Sequence, residues 1–231
     1  NESSEDVLSQ YREVNSIASV NLARQAVEFG VRRFIFVSSI GVNGSATCGA
    51  PFFADSEANP NSPYAISKLE AEVALWEVIA NTSMELVVIR VPAIYGVNAP
   101  GNFGLIEKAL KVGVPLPFRD VENKRSLIYL DNLTNFIGVT IKHDNAANNL
   151  FLVDDGEDLS TPEIIMVMGK LVGKKPRLFN LSKCLLELLL MICGRRGAID
   201  SLFSDLQIDS SNTRHQLDWK PPFSPHSVLK I

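Results

Sequence analysis

The sequence predicts an α/β fold on a parallel sheet, and three observations carry that reading. Phe34-Ile35-Phe36-Val37 and Leu86-Val87-Val88-Ile89 are short, wholly apolar runs of the type buried on both faces of a parallel sheet. A long helical pattern precedes each run, so strand and helix alternate as crossover connections require. With 231 residues, 46% of them hydrophobic, the chain can bury the core of one large domain or one and a half.

The elements follow in order. Val7 to Gly30 reads as a helix whose apolar stripe is Val14, Ile17, Ala18, Val20, Asn21, Leu22 and Ala26, with Gly30 as its C-terminal cap. The first strand ends in Ser38-Ser39, and a loop rich in small residues runs from Gly41 to Asn61. Asn61 or Ser62 caps the next helix, with Pro63 just inside its start, and the helical pattern continues through Glu77. The second strand leads into Arg90-Val91-Pro92. After about Pro100 the rhythm changes. Asn102–Val112 and Asn132–Lys142 read as helices, Ser126–Tyr129 and Leu150–Val153 as extended segments, and Thr161-Pro162-Glu163 opens a helix running to Gly173. A smaller, mixed region follows to Trp219, and no internal repeat is visible.

Composition excludes several classes. A net charge of −4 argues against a general nucleic-acid surface, which needs a basic balance. Cys48, Cys184 and Cys193 form no CxxC spacing, and His143, His215 and His226 are scattered, so no metal site is expected. The Asn1–Asp6 segment is polar and acidic, unlike a signal peptide. The most apolar run, Leu185–Cys193, falls far short of the roughly 20 residues that span a bilayer. A buried helix is expected there, with no membrane insertion and a cytoplasmic location.

Tyr64-Ala65-Ile66-Ser67-Lys68 carries the sharpest chemical signal. Four residues apart on a helix, the phenol and the ammonium address one site. A nearby cation favours the phenolate, lowers a pKa that is otherwise near 10, and makes proton transfer feasible at neutral pH. Taken alone the motif also describes an ordinary surface helix. Ser39 strengthens it, because it closes a strand and ligand sites in open α/β sheets lie at the carboxyl ends of strands.

With these residues in place, Phe34–Gly44 followed by Ser62–Lys68 resembles the extended short-chain dehydrogenases of the UDP-glucose 4-epimerase type. The resemblance implies a partial Rossmann-type, doubly wound parallel sheet with a smaller mixed α/β C-terminal region that binds substrate. It aligns Ser39, Tyr64 and Lys68 with the family's catalytic serine, tyrosine and lysine. It assigns Asn15, Ser38, Tyr64, Lys68, Val91 and Pro92 to the cofactor, NAD or NADP, and Ser39, Asn102, Phe103 and Arg125 to a nucleotide-sugar substrate. Arg125 is placed as a diphosphate clamp, a role that suits the forked donors of a guanidinium. Arg195 and Arg196 make a weaker case for such a role. Asp209–Pro222, with Arg214, Leu217, Trp219 and Pro221, looks like the family's closing stretch, and Asp154–Thr161 is similar to a stretch in bacterial polysaccharide enzymes. Residues 1–100, with returning segments at about 126–155, are expected to belong to the dinucleotide-binding part. Residues 101–125 and 156–231 are expected to hold mainly the nucleotide-sugar. A homodimer is implied, through the helices of Tyr64–Glu77 and Val7–Phe29.

The pattern departs from the family in four places. No G-x-x-G-x-x-G occurs in these residues, and four strands of the family sheet have no counterpart. The expectation is that this segment belongs to the natural protein. Asn43 stands where many members have tyrosine, and Ala93 where 4-epimerases often have asparagine. Ser39-Ile40-Gly41 lacks the acidic pair of the dehydratases. The resemblance implies a redox enzyme acting at C4 of a UDP-sugar, as epimerase or 4-keto-reductase. A non-catalytic binding or scaffold protein built on the same fold is the alternative.

Overall fold

The structure is a computed structural model that describes residues 4–182, 184–186, 191 and 202–228. Most of the apolar run Leu185–Cys193, together with Arg195 and Arg196, lies outside the described residues.

Helices α1 (Ser4–Tyr11) and α2 (Ala18–Glu28) are joined by a π-helical turn, Arg12–Ile17. Gly30 ends α2 at φ +68°, and Val31 N–H donates to Ala26 C=O at 2.9 Å, so glycine supplies the left-handed cap. The expected apolar stripe is corrected in part. Val20 and Ala23 are buried, whereas Val14, Ile17 and Leu22 are 70%, 55% and 58% exposed. A π turn carries an extra residue and rotates the faces that follow, so a uniform 3.6-residue period assigns the wrong positions to the core.

Strand β1 (Arg33–Ser39) pairs in parallel with β2 (Glu85–Val91), and β2 pairs in parallel with β5 (Asn149–Leu152). Helix α3 (Pro63–Ile79) crosses over between β1 and β2. Its cap is Ser62, whose Oγ accepts from Ala65 N–H at 3.2 Å. Alternation along β2 explains why the run is apolar throughout. Leu86 and Val88 pack with Phe36, Ala71 and Leu75 toward α2 and α3. Val87, Ile89 and Val91 pack on the opposite face with Phe136, Phe151 and Trp219. Helices therefore cover both faces of the sheet, as expected of a doubly wound arrangement.

A second, two-stranded parallel sheet pairs β3 (Ala93–Tyr95) with β4 (Leu127–Tyr129). The short strand β3 had no counterpart in the sequence reading. Helices α4 (Gly101–Val112), α5 (Leu130–Lys142) and α6 (Thr161–Leu171) complete this half, and α7 (Ser211–Leu217) and the single turn α8 (Pro225–Val228) close the described chain. A separate apolar cluster of Tyr95, Leu110, Leu127, Leu159, Ile165 and Met168 fills the space among α4, α6 and the second sheet.

The stretches singled out near the C-terminus act largely as internal anchors. Trp219 is buried against Phe136, their ring centroids 4.9 Å apart, and its Nε1–H donates to Asn135 Oδ1 at 2.9 Å. Arg214 pairs with Asp154 at 2.8 Å. Asp158 accepts from Ser126 Oγ at 2.5 Å and from Gln207 Nε2 at 2.6 Å.

Candidate active site

The carboxyl ends of β1 and β2 open into a cleft of about 510 Å³, lined by Ser39, Tyr64, the Val91–Pro100 segment, Asn102, Phe103 and Leu130. Ser39 and Tyr64 thus face one cavity from two different elements. Ser39 is the last residue of β1, and its Oγ accepts from Gly41 N–H at 3.1 Å, which orients the hydroxyl at the start of the loop. Tyr64 sits in the first turn of α3, 39% exposed, with its ring edge-on to Tyr11 at 5.5 Å between centroids.

Lys68 lies one turn further along α3. Its Nζ donates to Val37 C=O at 3.1 Å and stands 4.7 Å from the Phe36 ring centroid and 5.8 Å from that of Tyr64. Burial lowers the lysine pKa, and the Glu72 carboxylate opposes that shift. Tyr64 is pushed above its ordinary value, by burial first and by Tyr11 second. This corrects the expectation of a lowered phenol pKa. The ammonium is engaged by a strand carbonyl and an aromatic face, so partial desolvation of the phenol decides the sign. The phenol therefore stands protonated at neutral pH, the form that donates a proton.

The structure does not bring every candidate into the cleft. Val91, Pro92, Asn102 and Phe103 line it. Ser38 is buried with its hydroxyl bonded to Glu72. The Asn15 amide donates to Ser67 Oγ at 3.1 Å, on the same helix as Tyr64. Arg125 is not among the lining residues; its Nη1 donates to Ser204 C=O at 2.9 Å, and burial lowers its pKa. Asn43, one of the departures from the family pattern, is buried and accepts from Arg90, whereas Ala93, the other, lines the cleft.

Two features of the cleft wall escaped the sequence reading. Asn98 adopts φ +62° and its N–H donates to the buried Glu107 carboxylate of α4 at 2.9 Å. A Cβ on Gly104 would lie 2.8 Å from Ala99 C=O, so α4 approaches this loop closely only because residue 104 is glycine. Below the wall, Tyr95 Oη donates to Asp155 at 2.7 Å. All three were hidden because each joins residues apart in sequence or depends on backbone approach.

The sequence matches the NAD dependent epimerase/dehydratase family over residues 2–153. The chain belongs to this family. A UDP-glucose 4-epimerase of Vibrio cholerae is 41% identical over 217 residues, covering 93% of this chain and 66% of that protein. An N-acetyl-alpha-D-glucosaminyl-diphospho-ditrans,octacis-undecaprenol 4-epimerase of Escherichia coli O157:H7 is 26% identical over 206 residues, covering 84% and 61%. The chain spans between half and two thirds of the length of these curated relatives. Among solved structures, a UDP-glucose 4-epimerase of Thermotoga maritima with UDP-glucose superposes with a TM-score of 0.74 at 20% identity, over 96% of this chain and 69% of that one. A UDP-glucuronic acid 4-epimerase of Bacillus cereus in complex with NAD gives 0.72 at 20% identity, over 94% and 65%. These superpositions, over 96% and 94% of the chain, show that it has the fold of those epimerase structures. Among the described residues no helix is long and apolar enough to cross a membrane.

Proposed function

We propose that this chain carries the proton-transfer and substrate-facing part of a nicotinamide-dependent enzyme that inverts or reduces C4 of a UDP-sugar. The observation that carries the reading is the convergence of Ser39 and Tyr64 on one cleft at the strand ends, with Lys68 directly behind them. The relatives named above, 4-epimerases of nucleotide- or lipid-linked sugars, support it.

The residues fit the nicotinamide end of NAD. Val91 and Pro92 give an apolar wall, and Lys68, one helical turn from Tyr64 and partly buried, is the group that would hold a ribose hydroxyl. Asn15 steadies the helix that bears Tyr64 and Lys68. When bound, the dinucleotide supplies the hydride acceptor and donor. NAD rather than NADP is the reading favoured by the family and by structural neighbours solved with NAD.

Ser39 Oγ hydrogen-bonds the sugar O4 and fixes it against Tyr64. The Tyr64 phenol gives its proton to a C4 ketone oxygen as that oxygen becomes a hydroxyl, and accepts it back in the reverse direction. Lys68 stabilises the phenolate so formed by its positive charge. Asn102 and Phe103 stand at the far wall to meet the sugar and diphosphate, and Arg125, bonded to Ser204 outside the cleft lining, is the remaining candidate for a phosphate. On this reading residues 1–100 with about 126–155 serve the dinucleotide, and 101–125 with 156–231 serve the UDP-sugar. Exposed Val14, Ile17 and Val73 on the π turn and α3 support a homodimer through these helices.

The test is proton NMR of UDP-glucose and UDP-N-acetylglucosamine incubated with the full chain and NAD. Conversion to the C4 epimer without net NADH establishes an epimerase. Consumption of NADH with a 4-keto sugar establishes a reductase. Neither reaction, in protein shown to be folded, overturns the proposal in favour of a non-catalytic binding protein.

A further inference from the structure

Behind the cleft, and not among its lining residues, lies a buried charge pair whose connections reach every catalytic element. Glu72 is 3% exposed and Arg90 6%. Arg90 donates to Glu72 through Nη2 at 2.6 Å and through Nε at 3.0 and 3.2 Å. The Ser38 hydroxyl donates to the same carboxylate. On its other side, Arg90 Nη1 donates to Asn43 Oδ1 at 3.1 Å, and Asn43 Nδ2 donates to Ser56 C=O at 3.0 Å.

Each partner adjoins a residue that faces the cleft. Ser38 precedes Ser39, Arg90 precedes Val91, and Glu72 lies one turn beyond Lys68, two beyond Tyr64. Asn43 and Ser56 fix the loop that leaves Ser39. Desolvating two ions is costly, and an apolar pair of similar volume would often fold as well or better, so fold stability alone does not account for this one. We propose that the Glu72–Arg90 pair, with Ser38 and Asn43, is a positioning element that holds Ser39, Tyr64 and Lys68 in mutual register. It rests on the proposed proton-transfer reading of the cleft. Reacting groups need placement within a fraction of an ångström, and four hydrogen-bonded side chains from β1, β2, α3 and the loop over-determine that placement. Glu72 also favours the ammonium form of Lys68 against its burial.

Steady-state kinetics of C4 interconversion on the full chain tests this. Glu72→Gln keeps the shape and the acceptor for Ser38 but removes the charge; kcat should fall roughly 100-fold while KM stays within about threefold. Because that change uncovers Arg90 and can prevent folding, Ser38→Ala and Asn43→Ala are measured beside it. Each removes hydrogen bonds without uncovering a charge, and each should lower kcat about tenfold at unchanged KM. Glu70→Gln, on the same helix but in a partly exposed pair with Arg12, is the control and should leave kcat alone. If Ser38→Ala and Asn43→Ala lower the melting temperature but keep kcat, the pair is structural only and the inference falls. If the wild-type chain neither interconverts nor reduces a UDP-sugar, the functional reading falls first, and amide hydrogen exchange decides the positioning claim. Faster exchange in Ser38→Ala confined to residues 37–44 and 62–72 upholds it, and exchange unchanged or raised throughout overturns it.

Discussion

Two carboxylates are buried about equally deeply, Glu72 at 3% and Asp155 at 5% exposure, yet they are satisfied in opposite ways. Glu72 faces a guanidinium that is itself buried. Asp155 faces only neutral donors: Tyr95 Oη and Asn132 Nδ2, both at 2.7 Å, and the Tyr129 N–H at 3.0 Å. Its neighbour Asp154 adds like charge. Burial, with Asp154, raises the Asp155 pKa from 3.8 to about 6, and the three donors only moderate the rise. The difference teaches that neutral donors alone do not keep Asp155 in the ordinary carboxylate range. The half of the cleft bearing Tyr64 is tied by a charge pair. The half bearing Tyr95 is tied by a carboxylic acid that titrates near neutrality.

The largest effect should come from breaking the charge pair. Arg90→Leu leaves Glu72 buried without its cation and should cost about 3–5 kcal/mol, read from urea midpoints at pH 7. Asp155→Asn uncovers no ion, and its signature should instead lie in the pH dependence. The unfolded chain keeps Asp155 near 3.8 and the folded chain holds it near 6, so the folded state binds the extra proton. The stability this group contributes is complete below about pH 4, falls as pH rises, and is lost above about pH 6. The wild-type advantage over Asp155→Asn should thus shrink by about 2 kcal/mol between pH 4 and pH 7. Asp209 and Glu70 have lowered pKa values and act in the opposite direction, losing their contribution as pH falls. The comparison with the variant cancels them. A difference independent of pH would show that folding leaves the proton affinity of Asp155 unchanged.

The same contrast marks what was legible in the sequence. Ser39, Tyr64 and Lys68 could be read because strand-end position and helical spacing are local properties, and β1, β2, α3 and the Ser62 cap stand within a residue or two of where apolar runs and capping rules put them. The Glu72–Arg90 and Tyr95–Asp155 links could not be read, since they join residues 18 and 60 positions apart through the packing of separate elements. The faces of α1 and α2 were misassigned because a π turn leaves no clear mark in hydropathy. The raised pKa of Tyr64 was missed for a related reason: spacing places the lysine on the correct face but does not show that its ammonium turns to Val37 C=O. Strand β3, three residues long, is too short to carry a period of its own.

The smallest expected effect sharpens the contrast from the neutral side. Tyr95→Phe removes one donor to Asp155 and leaves the ring in place, with no ion uncovered. The loss should be about 1 kcal/mol at pH 7, the scale of one buried hydrogen bond. Its diagnostic is the pH at which Asp155 titrates. The Tyr95 hydrogen bond lowers that pKa, so its removal should move the midpoint of the stability curve upward from about pH 6. Urea midpoints across pH 5–8, with Asp155→Asn subtracted, would show it. A midpoint that stays put would mean that Asn132 and the Tyr129 N–H already satisfy the carboxylate, and that the Tyr95 hydroxyl serves the cleft wall rather than the acid beneath it.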